Sequence, residues 1–192
     1  MKYNSKTYKL TDIGNFGQYS LITGILFLLL SGIGYFQDST HFFLAYLTSF
    51  VFWISISLGG LFFTMLHHIT GAKWSIVIRR ISECVTGTLP LMAVLFIPLA
   101  FGMHELYHWS HADIVVTDEL LQEKSPYLNT AFFLIRTAGY FVIWILLSQS
   151  LIKTSLKQDN GHKESQLKKM RRVSAPGMVL FMTVVLFERS FN

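Results

Sequence analysis

Cysteine is almost missing from this chain, which has one, Cys84, in 192 residues. A single thiol excludes an intrachain disulfide, and it cannot hold an iron–sulfur cluster, which takes four thiolates. Any redox centre must therefore lie outside the chain. Charge is scarce as well: Asp, Glu, Lys and Arg make up 14% of the residues, while hydrophobic residues make up 52% and include 17 Phe. A soluble globular domain carries about 25% charged residues, so this composition points to an integral membrane protein. The net charge of +5 would suit nucleic acid only if it were gathered on one folded face. Here the basic residues sit in short stretches between apolar runs, so their role is topological and no nucleic-acid partner is expected. An internal repeat, a low-complexity tract and a soluble domain are also missing.

What is present is a series of apolar runs. Phe16–Phe36 is free of charge for 21 residues, Phe42–Leu66 for 25 and Cys84–Met103 for 20. A membrane core of about 30 Å needs about 20 apolar residues in a helix, so each run is long enough to span. The first exceeds the apolar core of a secretory signal and has no small-residue cleavage site, so it is expected to remain in the mature protein. A fourth run, 128–152, is interrupted only by Arg136. A fifth, 173–187, covers 15 residues, which at 1.5 Å each reach about 22 Å. The expectation is one all-α polytopic transmembrane bundle with spans at about 16–36, 42–66, 84–104 and 128–152 and a truncated fifth span at 173–187. Lys and Arg concentrate at the N-terminus and in 67–83 and 153–172, but are sparse in 37–41 and 104–127. That asymmetry predicts a cytoplasmic N-terminus, with His67 and His68 inside and His41, His104, Glu105, His108 and His111 outside.

Local patterns add further expectations. Ser55 and Gly59, four apart, predict a close-packing face on the second span. Trp74, Val77, Ile78, Ile81 and Val85 fall on one side of a helix, with Arg79, Arg80 and Glu83 on the other, which predicts an amphipathic turn lying at the membrane interface. Pro90 and Pro98 each lack an amide hydrogen and predict bends in the third span. Cys84 is expected to be a small buried residue at the start of that span.

The chemistry gathers at the two mouths of the third span. His104-Glu105-Leu106-Tyr107-His108 fits H-E-x-x-H, which in zinc proteases places two ligands on one helical face with the glutamate as general base. The third ligand that such a site needs could come only from His111 or from loop acids, so an interfacial helix end meeting lipid headgroups is the competing interpretation. A bis-histidine haem would need one histidine from each of two helices at similar depth. His41 and His104 are the one such pair, and no metal or haem is expected on the chain itself. Arg136 lies about a third of the way into the fourth span, where a charge is costly unless it faces protein or water. It either shares a site with Glu105, a quinone headgroup or another subunit, or it snorkels to the outer interface. His67 and His68 are candidates for proton uptake, because imidazole titrates near neutrality, or they anchor a helix end.

Several of these segments carry a family resemblance. His67-His68-Ile69-Thr70-Gly71-Ala72-Lys73-Trp74-Ser75, then Arg79-Arg80, Leu89-Pro90-Leu91 and His104-Glu105-Leu106-Tyr107-His108-Trp109-Ser110-His111 resemble the ActF-type membrane subunit of alternative complex III. That subunit is described as quinone-binding subunit 2 of a bacterial quinol:cytochrome c oxidoreductase, and it is similar to the polysulfide-reductase (NrfD/PsrC-like) membrane subunits. Val173-Ser174-Ala175-Pro176-Gly177-Met178 resembles the start of that family's fifth helix. The likeness covers nearly the whole chain, which corresponds to the N-terminal half of the family's fold. The end, Phe187-Glu188-Arg189-Ser190-Phe191-Asn192, departs from the family's aromatic and acidic run.

The resemblance implies a multi-pass protein of the bacterial inner membrane that forms the first bundle of a ten-helix fold. It implies partners carrying iron–sulfur clusters and c-type haem, namely an iron–sulfur subunit, a multihaem cytochrome c and a sister membrane subunit. This chain would then assist quinone or menaquinone binding and proton handling, through candidates Arg136, His104, Glu105, His108, His111, His67 and His68. A membrane zinc protease and a structural scaffold are the alternatives.

Overall fold

The computed structural model describes residues 15–71, 76–107, 129–159 and 163–191, and its regular elements are helices throughout. They are α1 (Phe16–Tyr35), α2 (Ser39–Thr70), α3 (Ile76–Thr86), α4 (Leu89–Leu95), α5 (Ile97–Phe101), α6 (Met103–Leu106), α7 (Thr130–Asp159) and α8 (Lys163–Phe191). Among the described residues, four stretches are long and apolar enough to cross a membrane: Phe16–Tyr35, Ser39–Thr70, Ile78–Phe101 and Thr130–Lys157. The chain is an all-α, multi-pass membrane bundle. Helix α8 is 29 residues long and includes much of the basic stretch that the sequence suggests is a connection, because Lys and Arg are good helix formers.

The chain divides into two compact units, Met1–Leu44 and Ala45–Asn192. In the first, α1 has no buried residue. A turn follows in which the Asp38 carboxylate accepts the His41 amide at 3.0 Å, capping the start of α2. Tyr35 meets Phe42 and Phe43 edge-on at 5.9 and 5.8 Å. In the second unit the rest of α2, the α3–α6 run, α7 and α8 enclose an apolar centre of Leu61, Met65, Leu89, Met92, Phe141, Trp144, Leu151 and Phe181.

The α3–α6 run is interrupted where its sequence demands. Pro90 and Pro98 each occupy the first turn of a short helix, where a missing amide hydrogen costs nothing. Backbone bonds Met92 to Thr88, Phe96 to Met92 and Ala100 to Phe96, at 3.0, 3.0 and 3.1 Å, carry the ladder across the breaks. Beside the second break the Leu95 carbonyl accepts a 2.8 Å hydrogen bond from the Tyr46 hydroxyl on α2.

Around that apolar centre the bundle buries small hydroxyl residues and leaves many large apolar ones on its outer surface. Ser57, Thr64, Ser82, Thr86, Ser148, Thr154, Ser155 and Ser174 are buried, whereas Phe52, Trp53, Ile56, Val94, Val142 and Leu146 are exposed. In lipid, apolar side chains lose nothing by facing outward, and close helix contact favours small residues.

This arrangement corrects three sequence expectations. Helix α3 is not a separate interfacial turn: it opens the candidate span Ile78–Phe101, with Glu83 5% exposed inside the bundle and Ile81 62% exposed. A polar stripe in a membrane is buried against protein, and the apolar stripe meets lipid. Cys84, on the outward side of the same helix, is exposed rather than buried, and it lies two turns beyond the start of α3. The close-packing face of α2 carries Ser57 and Gly60, not Ser55 and Gly59. A Cβ at Gly60 would lie 3.1 Å from Ser82 O, Thr86 Oγ1 and Val85 Cγ1, while one at Gly59 would meet nothing within 4 Å.

Candidate functional site

The densest chemistry in the second unit lies at the end of the bundle where α2 stops and α3 begins. Helix α2 closes with a left-handed glycine, Gly71 at φ 62°, whose amide hydrogen-bonds the His67 carbonyl at 3.0 Å. Only glycine adopts this conformation without strain. The turn leaves His67 and His68 on the last helical turn, both buried, with their rings 5.3 Å apart and edge to face. The Arg171 guanidinium of α8 packs against the turn, 3.2 Å from where a Gly71 Cβ would stand. A cation there complements the carbonyl-rich end of α2.

Helix α3 contributes the charges. Arg79, Arg80 and Glu83 are spaced i, i+1 and i+4, so both guanidinium groups reach the same carboxylate. Arg79 Nε lies 3.3 Å from Glu83 Oε1, and Arg80 Nη1 lies 3.0 Å from Oε2. The Ser155 hydroxyl of α7 donates to Oε1 at 2.6 Å. One turn further along α3 the Ser148 hydroxyl donates to the Thr86 carbonyl at 3.0 Å, and Thr86 donates to Ser82 O at 2.7 Å. Ser57 of α2 pairs with the Thr88 hydroxyl at 2.8 Å. The result is a buried polar column in a bundle otherwise faced with hydrocarbon: both histidines lie within electrostatic reach of Arg79, and His67 also of Glu83, which binds Ser155.

Of the candidates named from sequence, His67 and His68 join this column. At the opposite end, His104 and Glu105 are exposed on α6, and the Tyr107 ring meets Phe133 of α7 at 5.9 Å. Burial pushes the Tyr107 phenol above its ordinary range. Arg136 lies less than two turns into α7, with its guanidinium 5.4 Å from the Phe132 ring centre and 5.7 Å from that of Phe133, within cation–π range. Phe133 thus links the end of α6 to Arg136. His108 and His111 lie outside the described residues, so the H-E-x-x-H stretch is described only through Tyr107.

Sequence reasoning missed Glu83, Ser155, Ser148 and Thr86 as site residues. A readable signal existed: Ser57 and Thr64, and again Ser148 and Ser155, recur at heptad spacing inside apolar runs, which marks a protein-facing stripe. No protein-family model matches the chain, and no characterised protein is similar to it at a significant level.

Proposed function

We propose that this chain is a membrane subunit that handles protons at the buried column His67–His68–Arg79–Glu83–Ser155, within a quinol-oxidising respiratory complex of the alternative complex III type. The observation that carries this reading is the burial of two imidazoles beside an ion-paired carboxylate in a lipid-facing bundle. Ionisable groups inside a membrane are costly, and they commonly mark substrate or proton pathways. An imidazole can take up and release a proton at its ring nitrogens, and the Glu83 carboxylate partly offsets the two guanidinium charges beside it. The assignment to a quinol:cytochrome c oxidoreductase rests on the sequence resemblance. On that assignment iron–sulfur, multihaem cytochrome c and sister membrane subunits hold the redox centres, and quinone or menaquinone binds with help from the Arg136 end. The chain would sit in a bacterial inner membrane with its N-terminus and the histidine column on the cytoplasmic side.

Two results test this. Reporter fusions should show the Lys163 position inside and the Asp118 position outside, as the distribution of Lys and Arg predicts. The reverse pattern would detach the histidine column from the proton-rich side assumed for it. In the assembled complex, Arg136→Ala should reduce assembly or quinol turnover about tenfold or more, and Lys163→Ala about twofold or less, because only the former removes a charge within a span. Equal mild effects would reduce Arg136 to a surface anchor. Zinc that copurifies stoichiometrically and is lost with His104→Ala would replace the respiratory reading with the protease one.

A further inference from the structure

Helices α2 and α8 run antiparallel in a register fixed by three close approaches. Phe62 and Phe181 rings are 6.0 Å apart, a Cβ on Gly177 would lie 3.1 Å from Met65 Sδ, and one on Gly71 would lie 3.2 Å from the Arg171 guanidinium. One helical turn from Met65 toward Gly71 is His68, and one turn from Gly177 toward Arg171 is Ser174. The two residues therefore occupy facing positions between two points of contact. They are 6% and 0% exposed, and His68 Nε2 and Ser174 Oγ are both shut off from solvent with no hydrogen-bond partner among the described residues.

The Ser174 hydroxyl is unusual in this bundle. A serine or threonine in a membrane helix normally satisfies itself on the carbonyl one turn back. Ser57, Thr64, Ser82, Thr86 and Thr154 all do so, at 2.7 to 3.2 Å. Ser148 and Ser155 instead bond across to α3. Ser174 does neither. A buried hydroxyl and a buried imidazole nitrogen on facing positions, both unsatisfied, are costly to the fold unless a guest supplies the missing bonds.

We propose that His68 and Ser174 hold one water molecule between α2 and α8, and that this water extends the polar column onto α8. Water suits the site because it donates and accepts at once, needs two to four polar partners, and is small enough to be enclosed where a larger polar molecule could not enter. It donates to Nε2 and accepts from the hydroxyl, or the reverse, according to the imidazole tautomer. A proton on His68 then has a continuous hydrogen-bonded route to Ser174. The water's role rests on the proton-handling function proposed above, but its existence does not.

The test is infrared difference spectroscopy of the full chain in membranes or detergent, comparing ordinary water with oxygen-18 water. A sharp O–H stretch of an internal water is expected, moved to lower frequency by the heavy isotope. It should vanish in Ser174→Ala and in His68→Leu and persist in Thr183→Ala, whose hydroxyl bonds Val179 O of its own helix. Ser174→Ala removes only one oxygen, so it keeps the test decisive if His68→Leu fails to fold. Where both variants fold, a double-mutant cycle should show coupling of about tenfold in the unfolding constant. A band that survives Ser174→Ala, additive variants within about twofold, or a direct bond between the two side chains at high resolution would each overturn the proposal. Loss of proton uptake with the band intact would sink the functional reading alone.

Discussion

Glu83→Ala is expected to destabilise the folded chain by about 3–5 kcal/mol, the cost of breaking a buried ion pair by removing one partner. Glu83 is 5% exposed and receives Arg79, Arg80 and the Ser155 hydroxyl. Its removal leaves the guanidinium of Arg79, whose side chain is 14% exposed, without its carboxylate in a low-dielectric setting, and it strips Ser155 of its acceptor. The two arginines are not equivalent. Arg80 is 43% exposed along its side chain and can turn toward water, so Arg80→Ala should cost no more than about 1 kcal/mol. Glu83→Gln should fall between these, since its amide oxygen still accepts from Ser155. Unfolding titrations in mixed micelles would read the order Glu83→Ala, Glu83→Gln, Arg80→Ala. Equal losses from the first and last would show that the carboxylate is hydrated, and the proposed proton column would lose its centre.

The second large effect is expected at Gly177, where α8 approaches closest. A Cβ there would stand 2.9 Å from Leu147 Cδ2 and 3.1 Å from Met65 Sδ. Both neighbours are ends of flexible side chains, so Gly177→Ala can be absorbed by small rotations. Gly177→Leu cannot, and should cost about 1–3 kcal/mol or detach α8 from the bundle. Gly59 and Gly139 are the controls, because nothing lies within 4 Å of a Cβ at either position. Alanine at either should raise stability by about 0.5–1 kcal/mol through helix propensity. The same micelle titration measures all three, and a neutral Gly177→Leu would refute the packing of α8 on α2 and α7.

The spans were legible in the sequence because an unbroken apolar run of about 20 residues has few other uses. Which side of each helix faces inward was not. Helix α2 carries two candidate small-residue faces, Ser55 with Gly59 and Ser57 with Gly60, and large apolar residues surround both. Hydrophobicity cannot choose between them when lipid and protein interior are equally apolar. The α3 stripe misled for a related reason: a helix apolar on one side and charged on the other fits the membrane interface as well as it fits a span whose charged side is buried against protein. The charges at 79, 80 and 83 also suggested a boundary, placing the third span at 84–104, whereas the helix they begin can enter the membrane because Glu83 pairs with both arginines and Arg80, at 43% exposure, keeps the surplus charge near the surface. His67 and His68 were legible as chemistry, but the buried role of Glu83 was not, because the charged side of an amphipathic turn reads as the side that faces water.

The pattern of cross-helix hydroxyl bonds bears on how the chain comes together during synthesis. The α3–α6 run is pinned to α2 by Tyr46–Leu95 and Ser57–Thr88, and to α7 by Ser148–Thr86 and Ser155–Glu83. These bonds are directional and admit one axial position each, so α2, the α3–α6 run and α7 can lock as each leaves the translocon. Helix α8 is different: between Val173 and Val184 its hydroxyls are Ser174 and Thr183, and Thr183 is spent on its own backbone. It is seated by packing instead, with Gly177 against Leu147 and Met65, Phe181 against Phe62 and Arg171 on the turn that ends α2, so it is the last element to dock and the first that an insertase or a neighbouring subunit could hold back.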